Sequence, residues 1–204
     1  MVAKTALRQI RESYHHGNLE EELVFGALKL ISKSGPENFS LRSLAGDLGV
    51  SPSAVYHYYS DKESLIENLC IVLFDELADL QTKAIEKITG NSARAACQRF
   101  RAIGASYFAW ASKEPHLFQM MFAGHTPQVK SSKAGDSRAY QMLSESLDEL
   151  MEHGLLDPKI RPYGELIAWS AVQGATSLIV EGILSPAQFD DLLDGLELAL
   201  LRGK

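Results

Sequence analysis

The stretch from Phe39 to Leu65 constrains the fold of this chain most, because it predicts two short helices joined at a single glycine. Ser40 is a typical N-cap, and the apolar residues after it recur at steps of three and four, as a buried helix face requires. Gly49 can adopt the left-handed conformation that ends a helix, and Ser51 followed by Pro52 begins the next one. The pattern therefore predicts a tightly turned pair of helices.

The second helix, Pro52 to Tyr59, has few long aliphatic residues, and only Val55 and Tyr59 are placed to pack inward. Its other side carries short or planar groups that can approach a groove and bond to phosphates and base edges. These residues are Ser53, Ala54, Tyr56, His57 and Tyr58. The pattern is typical of a DNA-binding helix-turn-helix. The alternative is a helical hairpin whose tyrosines only cover apolar surface.

The same residues resemble the DNA-binding domain of the tetracycline-repressor (TetR/AcrR) family. The matching runs are Phe39-Ser40-Leu41-Arg42-Ser43-Leu44-Ala45, Leu48-Gly49-Val50-Ser51, Val55-Tyr56-His57-Tyr58-Tyr59 and Asp61-Lys62-Glu63-Ser64-Leu65. Upstream, Tyr14-His15-His16-Gly17-Asn18-Leu19 is similar to a lead-in seen in one branch of that family. Beyond Leu65 the resemblance is one of pattern and length.

The resemblance implies an all-α homodimer with an N-terminal DNA-binding domain, residues 1–64 with a basic arm at 1–17, and a C-terminal bundle, residues 65–204. The bundle would bind an unknown small apolar or aromatic effector and hold the second subunit. The function implied is that of a transcriptional regulator, a repressor that a small molecule releases from a near-palindromic operator in double-stranded DNA. We expect a cytoplasmic protein without a cofactor, a metal site or a membrane partner.

Carried over position by position, the resemblance assigns nine residues to DNA binding. Arg42 would reach a base edge from the first helix, and Lys62 would clamp a phosphate at the start of the third. The set is Ser40, Arg42, Ser51, Ser53, Ala54, Tyr56, His57, Tyr58 and Lys62.

Charge and cysteine content agree with this interpretation but do not produce it. The net charge of −6 argues against a protein that coats nucleic acid nonspecifically. Lys4, Arg8 and Arg11 form a basic arm that could lie against DNA, although a frayed, solvated terminus explains them as well. Cys70 and Cys97 lie in apolar helical patterns and are expected to be buried thiols.

The rest of the chain predicts further helices, with one plausible flexible loop from Gly124 to Gly135. The last two helices, from about Pro162 and Pro186, are apolar and are predicted to form the dimer interface. The expected interface residues are Ile167, Ala171, Gly174, Leu178, Phe189, Leu192, Leu193, Leu196 and Leu200. The alternative is that these stripes face their own bundle.

Aromatic, methionine and amide side chains between the long helices are candidates for an effector cavity, although such residues more often pack a core. They are Phe100, Tyr107, Trp110, Phe118, Met121, Phe122, Tyr140, Met142, Trp169 and Gln173. The run from Trp169 to Gly174 resembles a Trp-x3-His-Gly pattern of one TetR/AcrR branch. Gln173 stands where that pattern has histidine.

Two alternatives from other classes stay open: a helical enzyme or small-molecule-binding protein, and a helical interaction module without DNA binding. The sequence contains no phosphate-binding glycine loop, Gly-x-Ser-x-Gly or His-Glu-x-x-His motif, and His15-His16 has no ligand partners at metal spacing. Asp190, Asp191, Asp194 and Glu197 are interpreted as a solvated helix face rather than a metal site.

Overall fold

A computed structural model describes residues 19–122 and 137–202, and over these residues the fold is all α-helical, as predicted. The α-helices are α1 (Leu19–Ser34), α2 (Leu41–Leu48), α3 (Pro52–Tyr58), α4 (Lys62–Ile85), α5 (Ala93–Lys113), α6 (Pro115–Phe122), α7 (Arg138–Glu152), α8 (Gly164–Val180) and α9 (Gln188–Leu200). Short 3-10 turns at Pro36–Asn38 and Arg161–Tyr163 precede α2 and α8. Three predicted features lie outside the described residues: the basic arm, the lead-in from Tyr14 as far as Asn18, and the loop at 124–135.

The described residues form two compact units. The first comprises residues 19–76 and 113–122. Its core is built from α1, α2, α3, α6 and the first part of α4, whose apolar residues recur at helical spacing. The largest fully buried side chains there are Leu23, Leu28, Ile31, Leu44, Leu65, Leu69, Leu73, Leu117, Met120 and Met121.

The second unit comprises residues 77–112 and 137–202. Arg99 connects α5 to α7 and to the preceding turn: its guanidinium bonds both carboxylate oxygens of Glu149 and donates to the carbonyls of Ile88 at 3.0 Å and Gly90 at 3.2 Å. The Arg99 hydrogen bond lowers the pKa of Glu149, because it stabilises the charged carboxylate. The predicted boundary between residues 64 and 65 falls within α4, a continuous helix, and stays a prediction.

The two cysteines differ in burial. Cys70 is buried, as expected, but Cys97 is only half-buried, so the prediction of two core thiols was wrong for Cys97. Within the described ranges, no helix combines the length and apolarity needed to cross a bilayer.

Candidate functional site

The turn between α2 and α3 is stabilised by hydrogen bonds that the local sequence provides. Ser40 and Ser43 form a reciprocal capping box at the start of α2, with both backbone-to-hydroxyl distances at 3.1 Å. At its end, Gly49 adopts a φ of 68° and a ψ of 26°, and the amide of Val50 donates to the carbonyl of Ala45 at 3.0 Å. Since the left-handed conformation suits glycine, α2 ends there and the chain turns sharply into α3.

One side of α3 is held in the first unit. The Ser51 hydroxyl accepts from the amide of Ala54 at 3.2 Å, which caps the helix. Val55 and Tyr59 are buried, and Asn68 on α4 donates to the Tyr59 hydroxyl at 2.7 Å. These contacts fix the rotation of α3 about its own axis.

The opposite side of α3 is solvent-exposed. Tyr56 is 48% and Tyr58 40% exposed, which is high for large aromatic side chains. His57 packs edge-on against the Tyr58 ring at 5.4 Å, so these two rings stand together on the surface. Ser40, Arg42, Ser51 and Ser53 are also exposed, and Ala54 is half-buried. Seven of the nine predicted DNA-binding residues are therefore exposed around α2 and α3.

Lys62, the ninth, is half-buried and makes contacts within the protein. Its ammonium group donates to the carbonyl of Pro36 at 2.6 Å and lies 5.8 Å from the centre of the Phe39 ring. The side chain thus ties the start of α4 to the 3-10 turn before α2. A phosphate contact by Lys62 stays a prediction.

Asp61, which was not singled out from the sequence, provides the cap of α4. Its carboxylate accepts from the amide of Ser64 at 2.7 Å and from the Ser60 hydroxyl at 3.0 Å. The backbone hydrogen bond from Ser64, followed by the Ser60 hydroxyl, lowers the pKa of Asp61. Asp61 directly before the apolar pattern of α4 was the available signal, since aspartate is a preferred N-cap residue.

Two family models match this arrangement. The model described as "Bacterial regulatory proteins, tetR family" matches residues 23–69, and "Tetracyclin repressor-like, C-terminal domain" matches residues 100–200. The chain belongs to the tetR family. It is therefore a DNA-binding transcriptional regulator with an N-terminal helix-turn-helix. The resemblance to the Trp-x3-His-Gly branch stays a prediction.

Individual relatives are similar over most of their length. The uncharacterized HTH-type transcriptional regulator Rv0681 of Mycobacterium tuberculosis is 21% identical over 187 residues, spanning 90% of this chain and 80% of that protein. A solved protein of unknown function from Rhodococcus sp. RHA1 is 25% identical with a TM-score of 0.74, covering 93% and 98% of the two chains. A TetR family transcription regulator from Marinobacter aquaeolei VT8 is 18% identical with a TM-score of 0.62, covering 95% and 98%.

The second unit of this tetR-family regulator contains a cavity of about 50 Å³ between α4, α5, α7, α8 and α9. Most of its wall is apolar. The lining residues are Leu77, Gln81, Phe100, Arg101, Ile103, Gly104, Tyr107, Ala139, Leu143, Ala168, Trp169, Val172, Leu193, Leu196 and Glu197. Three of the candidate effector residues, Phe100, Tyr107 and Trp169, are among them.

Two further candidates contact the lining residues. Tyr107 donates its hydroxyl hydrogen to the Gln173 side-chain oxygen, and the Tyr140 ring lies 5.5 Å from Trp169. Burial raises the pKa of Tyr107, so its hydroxyl keeps its proton.

The remaining candidates lie outside this cavity, and their contact with an effector stays a prediction. Phe118, Met121 and Phe122 belong to α6 in the first unit, where Phe122 packs against Phe118 and Phe74 with ring centres 5.1 and 6.4 Å apart. Trp110 is buried, and Met142 accepts a weak hydrogen bond from Thr82 at 3.7 Å. Neither lines the cavity. Helical spacing indicated that these residues face inward, but it could not indicate which of the two cores each residue joins.

Three of the four acidic residues of α9 pair with Arg101; Asp190, Asp191 and Asp194 lie on the exposed face, and Glu197 alone is buried. The Arg101 guanidinium lies 2.7 Å from Asp194, 3.2 Å from Glu197 and 3.4 Å from Asp190. Glu197 is buried beside the cavity. Among the described residues no cluster of histidine, cysteine, aspartate and glutamate has an arrangement suited to a metal ion.

The predicted dimer residues divide into two groups. Phe189, Leu193, Leu196 and Leu200 are core residues of their own unit, because they point towards the helices that α9 packs on. The others are exposed or half-buried: Ile167, Ala171, Gly174, Leu178 and Leu192. The outer side of α9, where Leu198 is exposed, is the part of this helix that its own unit leaves uncovered.

Proposed function

We propose that this regulator is a repressor that binds a near-palindromic operator as a homodimer and leaves it when a small ligand occupies the cavity of the second unit. The observation that carries the DNA-binding part is the uncovered side of α3, with its exposed tyrosine, histidine and serine side chains. A helix that is anchored on one side and bare on the other can enter a major groove without rearrangement.

In this proposal Arg42 provides sequence discrimination from the start of α2. It is exposed, and a guanidinium can bond two acceptors of a guanine at once, which is worth about 1–3 kcal/mol against the wrong base. Tyr56, His57 and Tyr58 would bond phosphates and base edges from α3. The serines that cap the two helices lie at their N-termini, where backbone amides favour phosphate groups.

The proposed dimer surface is the outer side of α8 and α9, which pack against each other. Leu166 and Leu198 are 69% and 63% exposed, and Ile167 and Leu178 are exposed on the same side of α8 as Gly174. A methyl group added at Gly174 would meet nothing within 4 Å, so this side of the helix is open to close approach. Two recognition helices ~34 Å apart, one turn of DNA, require such a twofold partner.

The proposed coupling runs along α4. Leu77 and Gln81 line the cavity, while nearer the start of the same helix Lys62 donates to the Pro36 carbonyl ahead of α2 and Leu65 is fully buried. A ligand that displaces α4 at the cavity favours a conformer in which the recognition helices are no longer placed for operator binding. A 100-fold loss of operator affinity requires a coupling of only ~2.7 kcal/mol.

The experiment that tests DNA recognition is selection of duplexes from a random pool with the purified full-length protein. We expect enrichment of a near-palindrome, and loss of discrimination at one position of each half-site for Arg42→Ala. Arg94→Ala is the matched control, because Arg94 is an exposed arginine in the second unit. Recovery of random sequences by the unaltered protein would refute operator recognition.

The dimer is tested by light scattering after size exclusion, with Leu198→Glu as the disrupting variant. This substitution would place a charge in an apolar interface, so we expect dissociation to monomers at micromolar concentration. A monomeric unaltered protein would refute the dimer. No observation in the described residues favours an enzyme or a module without DNA binding over this proposal.

A further inference from the structure

We propose that the cavity of the second unit selects an uncharged ligand with a hydrogen-bond donor, such as a hydroxyl group, on a small apolar body. The inference rests on the proposed function only in naming the cavity as the effector site. It concerns the chemistry of the ligand, which can be measured without DNA.

The first observation is a buried acceptor. Gln81 is 3% exposed and continues the series Leu69, Leu73 and Leu77, which face the interior at steps of four. Its side-chain nitrogen donates to the carbonyl of Ile103 at 3.3 Å, but its side-chain oxygen has no hydrogen-bond partner among the described residues. A buried acceptor without a donor is energetically unfavourable. A ligand that supplies the donor therefore gains binding free energy from this hydrogen bond in addition to its apolar contacts.

The second observation is that the donors around the cavity are engaged with protein acceptors. Tyr107 gives its hydroxyl hydrogen to Gln173. Arg101 gives its guanidinium hydrogens to Asp190, Asp194 and Glu197. A ligand that offers only acceptors must therefore compete with protein acceptors for the Tyr107 hydroxyl and the terminal nitrogens of Arg101.

The third observation is the balance of charge. The charged residues of the cavity wall are Arg101 and the buried Glu197, which pair with each other, while Asp190 and Asp194 bond Arg101 from its exposed side, so the wall offers no unpaired charge. A carboxylate ligand would find no unpaired cation and would lose its hydration in a largely apolar cavity. An ammonium ligand would suffer the same loss of hydration, since the carboxylates already share Arg101. An uncharged ligand avoids both costs.

The volume limits the size of the ligand. A protein cavity of ~150 Å³ accepts benzene, whereas this cavity measures about 50 Å³. Benzene and a four-carbon alcohol have similar volumes, and either would enter this cavity only by displacing lining side chains.

The test is a matched pair of small probes, butan-2-ol and butan-2-one, which have the same carbon skeleton but differ in whether they can donate. Dissociation constants are measured by NMR titration of the full-length protein without DNA. We expect the dissociation constant of the alcohol to be ~10-fold lower than that of the ketone, because one additional hydrogen bond to Gln81 changes affinity by about that factor. Butyrate is expected to bind more weakly than either.

Gln81→Met removes the acceptor at nearly constant volume and should bring the alcohol and the ketone to equal affinity. Gln98→Met, at an exposed glutamine of α5, is the control and should keep the preference. The comparison in the unaltered protein stands without any variant. Equal binding of the two probes there, tighter binding of butyrate, or a preference that survives in Gln81→Met would each overturn the inference.

Operator release is measured separately with the same probes. If butan-2-ol binds with the expected preference but leaves operator affinity unchanged, the ligand chemistry stands and the proposed release mechanism fails. If the alcohol has no preference, the ligand inference fails whether or not the protein binds an operator.

Discussion

Lys62 offers a prediction that separates a structural role from a DNA contact. Its ammonium group bonds the Pro36 carbonyl at 2.6 Å and lies 5.8 Å from the centre of the Phe39 ring. Both contacts are in the segment that leads into α2, so the side chain holds that segment to the start of α4. We therefore expect Lys62→Met, which keeps the length of the side chain but removes the charge, to destabilise the first unit.

The magnitude follows from the two contacts. A hydrogen bond from a charged donor is worth about 1.5–3 kcal/mol, and Lys62 is only half-buried, so the lower value applies. The ring contact is near the distance limit for a cation–π interaction and adds ~0.5 kcal/mol at most. Part of this total is offset because the lysine loses rotational freedom when it is held. The expected loss in free energy of unfolding is therefore about 1–2 kcal/mol.

The assay is urea denaturation followed by circular dichroism, combined with operator binding over a range of salt concentrations. Lys29→Met is the control, since Lys29 is exposed on α1. With a structural role, Lys62→Met weakens binding to all sequences and leaves the slope of log affinity against log salt unchanged. The opposite result, unaltered stability with a slope reduced by ~0.9, would mean that Lys62 neutralises a phosphate and that our reasoning is wrong.

Three further predictions concern stability. Gly49→Ala forces alanine into φ 68° and should lower the free energy of unfolding by about 1–2 kcal/mol. Gly46→Ala, inside helix α2, should raise the free energy of unfolding slightly, and denaturation of the two variants compares them. Glu149→Gln should make stability fall less steeply on acidification. The pKa of Glu149 in the folded protein is below its usual value of 4.5, so the stabilising pair with Arg99 is fully present above pH 4.5 and is lost as the pH falls through the folded-state pKa. Denaturation measured at several pH values between 3 and 6 would show this difference. Thr176→Val should raise the free energy of unfolding by about 1 kcal/mol, because the Thr176 hydroxyl is fully buried and has no hydrogen-bond partner among the described residues; a decrease in thermal denaturation temperature would contradict this.

The helix-turn-helix was predictable because its signals are local. Ser40, Gly49 and Ser51 act on backbone groups within three or four residues of themselves, and those bonds form as soon as the helices do. Burial of Val55 and Tyr59 followed from helical spacing, since the residues opposite them are polar or small. The exposed side of α3 was therefore predictable as well.

The lining of the cavity in the second unit was predictable only in part. Phe100, Tyr107 and Trp169 were identified, but Gln81 and Glu197 were not. Gln81 did leave a signal, a polar residue at the next position of a leucine series, but its meaning depends on the absence of a nearby donor from other helices. That absence is a property of packing.

The amino-acid sequence alone determined the family, the all-helical class and the two helices around Gly49, since capping, turn conformation and helical spacing act over a few neighbouring residues. Only the tertiary structure decided that Lys62 contacts Pro36, that α6 joins the first unit and that the leucines of α9 face their own core. Periodicity shows that a side of a helix is apolar, but many partners can bury an apolar side equally well. The choice among them is made by the packing of residues that are far apart in the chain.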